Sequence, residues 1–120
     1  MKLAISSLGE NLESQIDSRF GRCKFIIIFD TATNEFQTER NPCINAQNSA
    51  GIQTAQLVSD KNAEVVITGN LGPNAIKALR SAGIRTYSCA NCSVKQAIEN
   101  FKSGNLTELQ DSTANLHSGK

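Results

Sequence analysis

Apolar positions along this chain fall into short β-branched runs separated by stretches with helical spacing. Residues 2–6, Lys-Leu-Ala-Ile-Ser, alternate well enough to predict a strand, and Leu8-Gly9-Glu10-Asn11 turns the chain out of it. Residues 25–29 are almost continuously apolar, the pattern of a strand buried on both faces. A turn at residues 30–34 leads into 35–40, which alternate with charge at their ends, so the pair reads as a hairpin with a protected edge strand. A helix is expected over residues 48–61, with Ala50, Thr54, Ala55, Leu57 and Val58 on its buried side. Residues 64–68 form a second β-branched run, broken by Gly69-Asn70-Leu71-Gly72. Pro73 suits the first position of the helix that follows, whose stripe is Ala75, Ile76, Leu79 and Ala82, with Gly83 as its left-handed cap. Residues 84–87 predict the last strand. Ser93 and Gln96 match a capping box that opens a helix with Val94, Ala97, Ile98 and Phe101 facing inward, ending at Gly104.

This order, βββαβαβα, implies a three-layer α/β/α domain of the ribonuclease H-like type around a mixed five-stranded sheet, with an antiparallel opening hairpin and right-handed crossovers. The expected division is a folded domain over residues 1–106 and a polar, fraying tail over 107–120. At 120 residues there is no room for a second domain. The formal net charge of +1 and the absence of Trp give no footing for nucleic acid. No apolar stretch is long enough for a membrane span or a leader, so a cytoplasmic location is expected. The first strand carries no acidic residue, which excludes the metal-dependent nuclease chemistry found on this fold class.

Chemistry concentrates in three places. The loop Ser18-Arg19-Phe20-Gly21-Arg22-Cys23 sets two guanidinium groups around a glycine, and a bend at Gly21 aims both at one anionic target. The loop after the central strand offers Gly69, Asn70, Gly72 and Asn74, whose amides at a helix start favour an anion, although a plain βα connection has the same look. Cys89-Ala90-Asn91-Cys92 places two thiols just before the Ser93 helix. In a leaderless chain four cysteines point to thiols or metal ligands rather than a disulfide framework. Cys23 and the Cys89 strand end are expected to converge with the Gly69 loop, making Cys23, Cys89 and Cys92 the candidate ligands; a small buried residue is the alternative for Cys23. Cys43 has no assigned role, and His117 reads as a solvated tail residue.

Four stretches together resemble a known family. Met1-Lys2-Leu3-Ala4-Ile5-Ser6-Ser7, Arg19-Phe20-Gly21-Arg22-Cys23, Ala50-Gly51-Ile52-Gln53-Thr54-Ala55 and Val66-Ile67-Thr68-Gly69-Asn70-Leu71-Gly72-Pro73-Asn74-Ala75 are similar, in order, to the nitrogenase iron-molybdenum cofactor biosynthesis family. That family includes NifX-like and NafY-like carriers and the orange protein, which holds a molybdenum-copper sulfide. The resemblance implies non-catalytic binding of an anionic metal-sulfur cluster or its precursor. Two departures stand out. Residues 44–49 lack the glycines and the histidine common before the first helix, and Cys89-Ala90-Asn91-Cys92 replaces a glycine-rich turn.

The expectation is therefore a carrier, not an enzyme, of an iron-sulfur or molybdenum-containing sulfide cluster. Cluster donor and acceptor proteins are its expected partners, with no nucleic acid and no membrane. Arg19, Phe20, Gly21, Arg22, Gly69, Asn70, Gly72 and Asn74 would hold the cargo, and Cys23, Cys89 and Cys92 would ligate metal. Cys89 and Cys92 are expected to bind metal when reduced and to form a disulfide when oxidised, with oxidation releasing cargo. The competing readings are a thiol-disulfide redox protein using Cys89 and Cys92, and a structural zinc-binding interaction module.

Overall fold

Strand alternation explains the layering. In β1 (Lys2–Ser7), Leu3 and Ile5 point to one side of the sheet and Ala4 to the other. The same division holds in β2 (Phe25–Asp30), with Ile27 and Phe29 against Ile26 and Ile28. It holds again in β4 (Val65–Thr68), with Val65 and Ile67 against Val66. Both faces of these strands are apolar, so both must be covered. α1 (Ala50–Asp60) and α2 (Pro73–Ser81) bury Ala55, Val58, Ala75, Ile76 and Leu79 on one face, whereas α3 (Val94–Lys102) buries Val94, Ala97 and Ile98 on the other. The result is three layers with two separate cores.

The structure, a computed structural model, describes residues 1–42, 50–89 and 91–109. With β3 (Phe36–Arg40), β5 (Arg85–Ser88) and β6 (Thr107–Glu108), its single sheet runs β3-β2-β1-β4-β5-β6. β1, β4 and β5 are parallel neighbours, while β2 and β3 form the antiparallel hairpin expected from their turn. The sheet has six strands, not five. Thr107 and Glu108 pair antiparallel with Ser88 and Tyr87, and Leu109 is buried against the α1–α2 side. A two-residue strand leaves no periodic signal, and its neighbours are polar, so only the exposed edge of β5 reveals it. No helix among the described residues is long and apolar enough to cross a membrane.

The punctuation at helix ends follows the sequence. Gly83 adopts φ 77° just past α2, and Ser93 and Gln96 make both bonds of the capping box on α3. Ala50 is the first residue of α1; the expected extension to residues 48 and 49 lies outside the described residues, as do Cys43, the 44–49 loop, Ala90, His117 and the rest of the 110–120 tail.

Candidate functional site

The Arg19 loop is built around a buried carboxylate. Asp17, 2 % exposed, accepts from the backbone N–H of Arg19 at 3.1 Å and of Lys24 at 3.2 Å, and from the Arg19 guanidinium at 3.3 and 3.5 Å. One side chain thus closes the loop and fixes the root of an arginine that is itself 59 % exposed. Phe20 is 3 % exposed and belongs to the α1–α2 core, so it anchors the loop and offers no ring to a ligand. The carbonyl of Gly21 accepts from Asn41 Nδ2 at 3.2 Å and Thr54 Oγ1 at 3.0 Å. Gly21 also lies against the first turn of α1, where a Cβ would come within 2.8 Å of the Gly51 nitrogen.

A second loop runs beside the first. The Asn70 N–H donates to the Ser18 carbonyl at 2.9 Å, and Arg19 and Asn70 pair as a parallel bridge. Gly69 permits this approach, since a Cβ there would meet Ser18 Cα at 2.8 Å. Beyond it, Gly72 caps the N-terminus of α2 with Pro73 in the first turn and no side-chain cap. Pro73 has no N–H, so the first-turn amides of Asn74 and Ala75 are the ones α2 leaves for a partner outside the helix.

Between these parts opens a cleft of about 590 Å³. Arg19, Phe20, Gly21 and Arg22 line it on one side and Asn70, Leu71, Gly72, Pro73 and Asn74 on another, with Ala50, Gly51 and Ile52 of α1 as the third wall. The volume suits a small ligand. Among the described residues, the only charged ones lining it are Arg19 and Arg22, with no carboxylate. Two helix starts and two guanidinium groups give the cleft a positive field, the arrangement that holds an anion.

The thiols lie elsewhere. Cys23 has no exposed surface and sits in the α1–α2 core, with Asn41 Nδ2 donating to its carbonyl at 3.0 Å and to its Sγ at 3.7 Å. Burial, helped by the nearby negative charge of Asp17, pushes its pKa up to about 12, which keeps it protonated. Cys89 and Cys92 are bonded to each other and sit in the α3 core, on the opposite face of the sheet. The expected convergence of Cys23 with Cys89 and Cys92 therefore fails, because Cys23, just before β2, packs into the α1–α2 core while Cys89 and Cys92, between β5 and α3, pack into the α3 core. No cluster of three or more His, Cys, Asp or Glu side chains able to hold a metal ion occurs among the described residues.

Residues 1–104 match the sequence model of the dinitrogenase iron-molybdenum cofactor family. The chain belongs to that family. Its structure is similar to the apo form of the orange protein from Desulfovibrio gigas, with a TM-score of 0.91 and 30 % identity over 93 % of this chain and 95 % of that one. A Thermotoga protein solved by NMR and provisionally described as NifB gives a TM-score of 0.83 at 33 % identity, covering 93 % of this chain and 96 % of its own. An uncharacterised protein of Methanocaldococcus jannaschii is 24 % identical over 100 residues, 81 % of this chain and 85 % of its own length.

For this member of the dinitrogenase iron-molybdenum cofactor family, the cleft gathers Arg19, Phe20, Gly21, Arg22, Asn70, Gly72 and Asn74 from the residues singled out in the sequence. Gly69 is not in it; it lines a second depression with Asp17, Arg19 and Cys89. Sequence reasoning missed Asp17 and Gly51 as site residues. Each carries a usable signal: an acid two positions before an arginine, and a glycine in the first turn of a helix, where it weakens the helix unless backbone must approach closely.

Proposed function

We propose that this chain binds an anionic metal-sulfur cluster whose metals already carry sulfide, or a precursor of one, in the Arg19–Arg22 cleft and carries it between donor and acceptor proteins during cofactor assembly in the cytoplasm. It does so without catalysing a reaction. Membership of the dinitrogenase iron-molybdenum cofactor family supports the class of cargo. The observation that carries the reading is the cleft itself: two arginines and the first turns of α1 and α2 on one surface with no carboxylate among them.

The residues present fit such a cargo. A cluster whose metals are already saturated by sulfide presents outward a shell of anionic sulfur, which needs hydrogen-bond donors; one with open iron sites needs thiolates, and no cysteine is among the described residues that line the cleft. Arg19 and Arg22 supply guanidinium donors whose charge persists at any accessible pH. The Asn74 and Ala75 amides supply fixed dipoles, and the exposed Ile52 adds apolar contact.

The test is anaerobic reconstitution with iron or molybdate plus sulfide, followed by metal and sulfide analysis and absorption spectra. Charge-transfer bands with stoichiometric metal are expected, and a colourless, metal-free product under every regime overturns the proposal. Affinity is then measured with tetrathiotungstate, a tetrahedral sulfide dianion. Each charge-assisted hydrogen bond is worth about 1.5–3 kcal/mol, so Arg19→Gln with Arg22→Gln should weaken binding at least ~10-fold while the circular dichroism spectrum is unchanged. Equal affinity in the double variant would assign the arginines to loop structure alone.

A further inference from the structure

We infer that Cys89 and Cys92 form a thiol–disulfide switch for the cleft, the disulfide form holding the cargo more tightly than the dithiol; this rests on the cargo reading above. Cys89 follows β5 and Cys92 precedes the cap of α3, and their bond closes the turn between them. The segment approaching the cleft is stitched to that turn. Cys92 C=O accepts from the Ile16 N–H at 3.0 Å, and Gln15 pairs with Ser93. Further along, the first-turn N–H groups of Val94 and Lys95 in α3 donate to the carbonyls of Ser14 and Leu12, both at 2.8 Å. Residue 17, immediately after Ile16, is the carboxylate that fixes Arg19, and residue 18 bonds Asn70. The disulfide turn thus holds Ile16, three residues before Arg19, within one hydrogen-bonded strap, residues 12–19.

The two sites also share space. A second depression of about 460 Å³ lies across Arg19 from the cleft, and Asp17, Arg19, Gly69, Cys89 and Asn91 are among the residues lining it. Ser18 and Arg19 border both cavities. A small dithiol entering there meets the otherwise buried Cys89, 8 % exposed, beside the arginine that the cargo needs.

Reduction is ordinary exchange. A thiolate of the dithiol attacks one sulfur, the Cys89–Cys92 bond breaks and a mixed disulfide forms; the second thiol of the reagent then displaces the other protein sulfur. Two electrons pass from the dithiol, which leaves as a cyclic disulfide, and its two protons end on the protein thiols. A disulfide-class oxidant reverses the step. Opening the bond frees the turn that accepts from Ile16, which loosens the placing of Asp17 and Arg19. Cys89 lines the second depression and neither cysteine lines the cleft, which makes loss of hold on reduction the expected direction, opposite to that expected had the thiols been the metal ligands.

The experiment measures tetrathiotungstate affinity for the full chain in the oxidised form and after equilibration with dithiothreitol, with alkylation and mass analysis reporting the state of each cysteine. The oxidised form should bind about tenfold more tightly. By linkage, saturating tetrathiotungstate should shift the midpoint potential of the pair by about 30 mV toward more reducing values. Cys89→Ser with Cys92→Ser should match the reduced wild type under both conditions, and should that variant fold poorly, the reduced wild type supplies the same comparison. In Arg19→Gln the residual affinity should be the same in both redox states. Binding that is independent of redox state, or tighter in the dithiol, overturns the switch and leaves the cleft reading standing. An absence of binding in both states overturns the cleft reading and the switch with it.

Discussion

A thiol with no exposed surface, desolvated and facing Asp17, keeps its proton far into the alkaline range. Cys23 rises from an ordinary value of 9.0 to about 12 on folding, so the unfolded chain releases this proton at lower pH than the native one. Its contribution to stability is fully present below the unfolded value and is lost as pH rises from about 9 toward about 12. Urea midpoints should therefore fall across that window, and Cys23→Ala should remove part of the slope while lowering the midpoint near neutrality. Native protein should also resist alkylation at Cys23 at pH 8, because the thiolate is the nucleophile. The neighbouring Asp17 has a different task. Removing it in Asp17→Ala leaves the Arg19 and Lys24 amides without their acceptor, at a cost of about 1–3 kcal/mol measured by urea denaturation, and lets Arg19 swing away from the cleft.

Glycine decides how the elements meet. Gly21 rests on the backbone of Gly51, and a Cβ on Gly51 would lie 2.9 Å from the Cβ of Ala75, so the Arg19 loop, α1 and α2 touch through three small residues. Backbone cannot step aside as a flexible side chain can. Gly21→Ala should thus destabilise by about 1–3 kcal/mol and weaken tetrathiotungstate binding, because the Arg19 loop must lift from α1. Gly72 is the contrasting position. It adopts φ −80°, ψ 170° with open space where a Cβ would go, so in Gly72→Ala the gain of about 0.4–1 kcal/mol through the unfolded state offsets the poorer N-cap and the net change should be near zero. Thermal melts should fall in Gly21→Ala and stay near the wild type in Gly72→Ala. An equal fall in both would show that the small-residue contact does not set the approach of the loop to the helices.

At the scale of the whole molecule, the sheet is completed by residues that read as tail. Leu109 is buried, its N–H donates to the Thr86 carbonyl at 2.8 Å, and its own carbonyl accepts from Thr86 Oγ1 at 3.2 Å. A chain ending after residue 106 should therefore be less stable than one ending after 109 by about 1.5–3 kcal/mol, read from denaturant midpoints, the worth of one buried leucine. Equal midpoints would make β6 a passive edge. The sequence by itself determined the helices and, β6 apart, the strands, because β-branched runs, the Pro73 start, the Gly83 stop and the Ser93 capping box are local signals that their own neighbours satisfy. It also pointed to Arg19, Arg22 and the Gly72 helix start, since charge and missing N–H groups are legible one residue at a time. Only the tertiary structure decided that Cys23 and the Cys89–Cys92 pair lie in different layers, that Phe20 is core, that Gly69 borders the neighbouring depression, and that Gly51 and Asp17 shape the site. Those outcomes depend on which face of a strand a residue occupies and on which backbones approach within a few ångströms, and both are set by contacts between segments far apart in the chain.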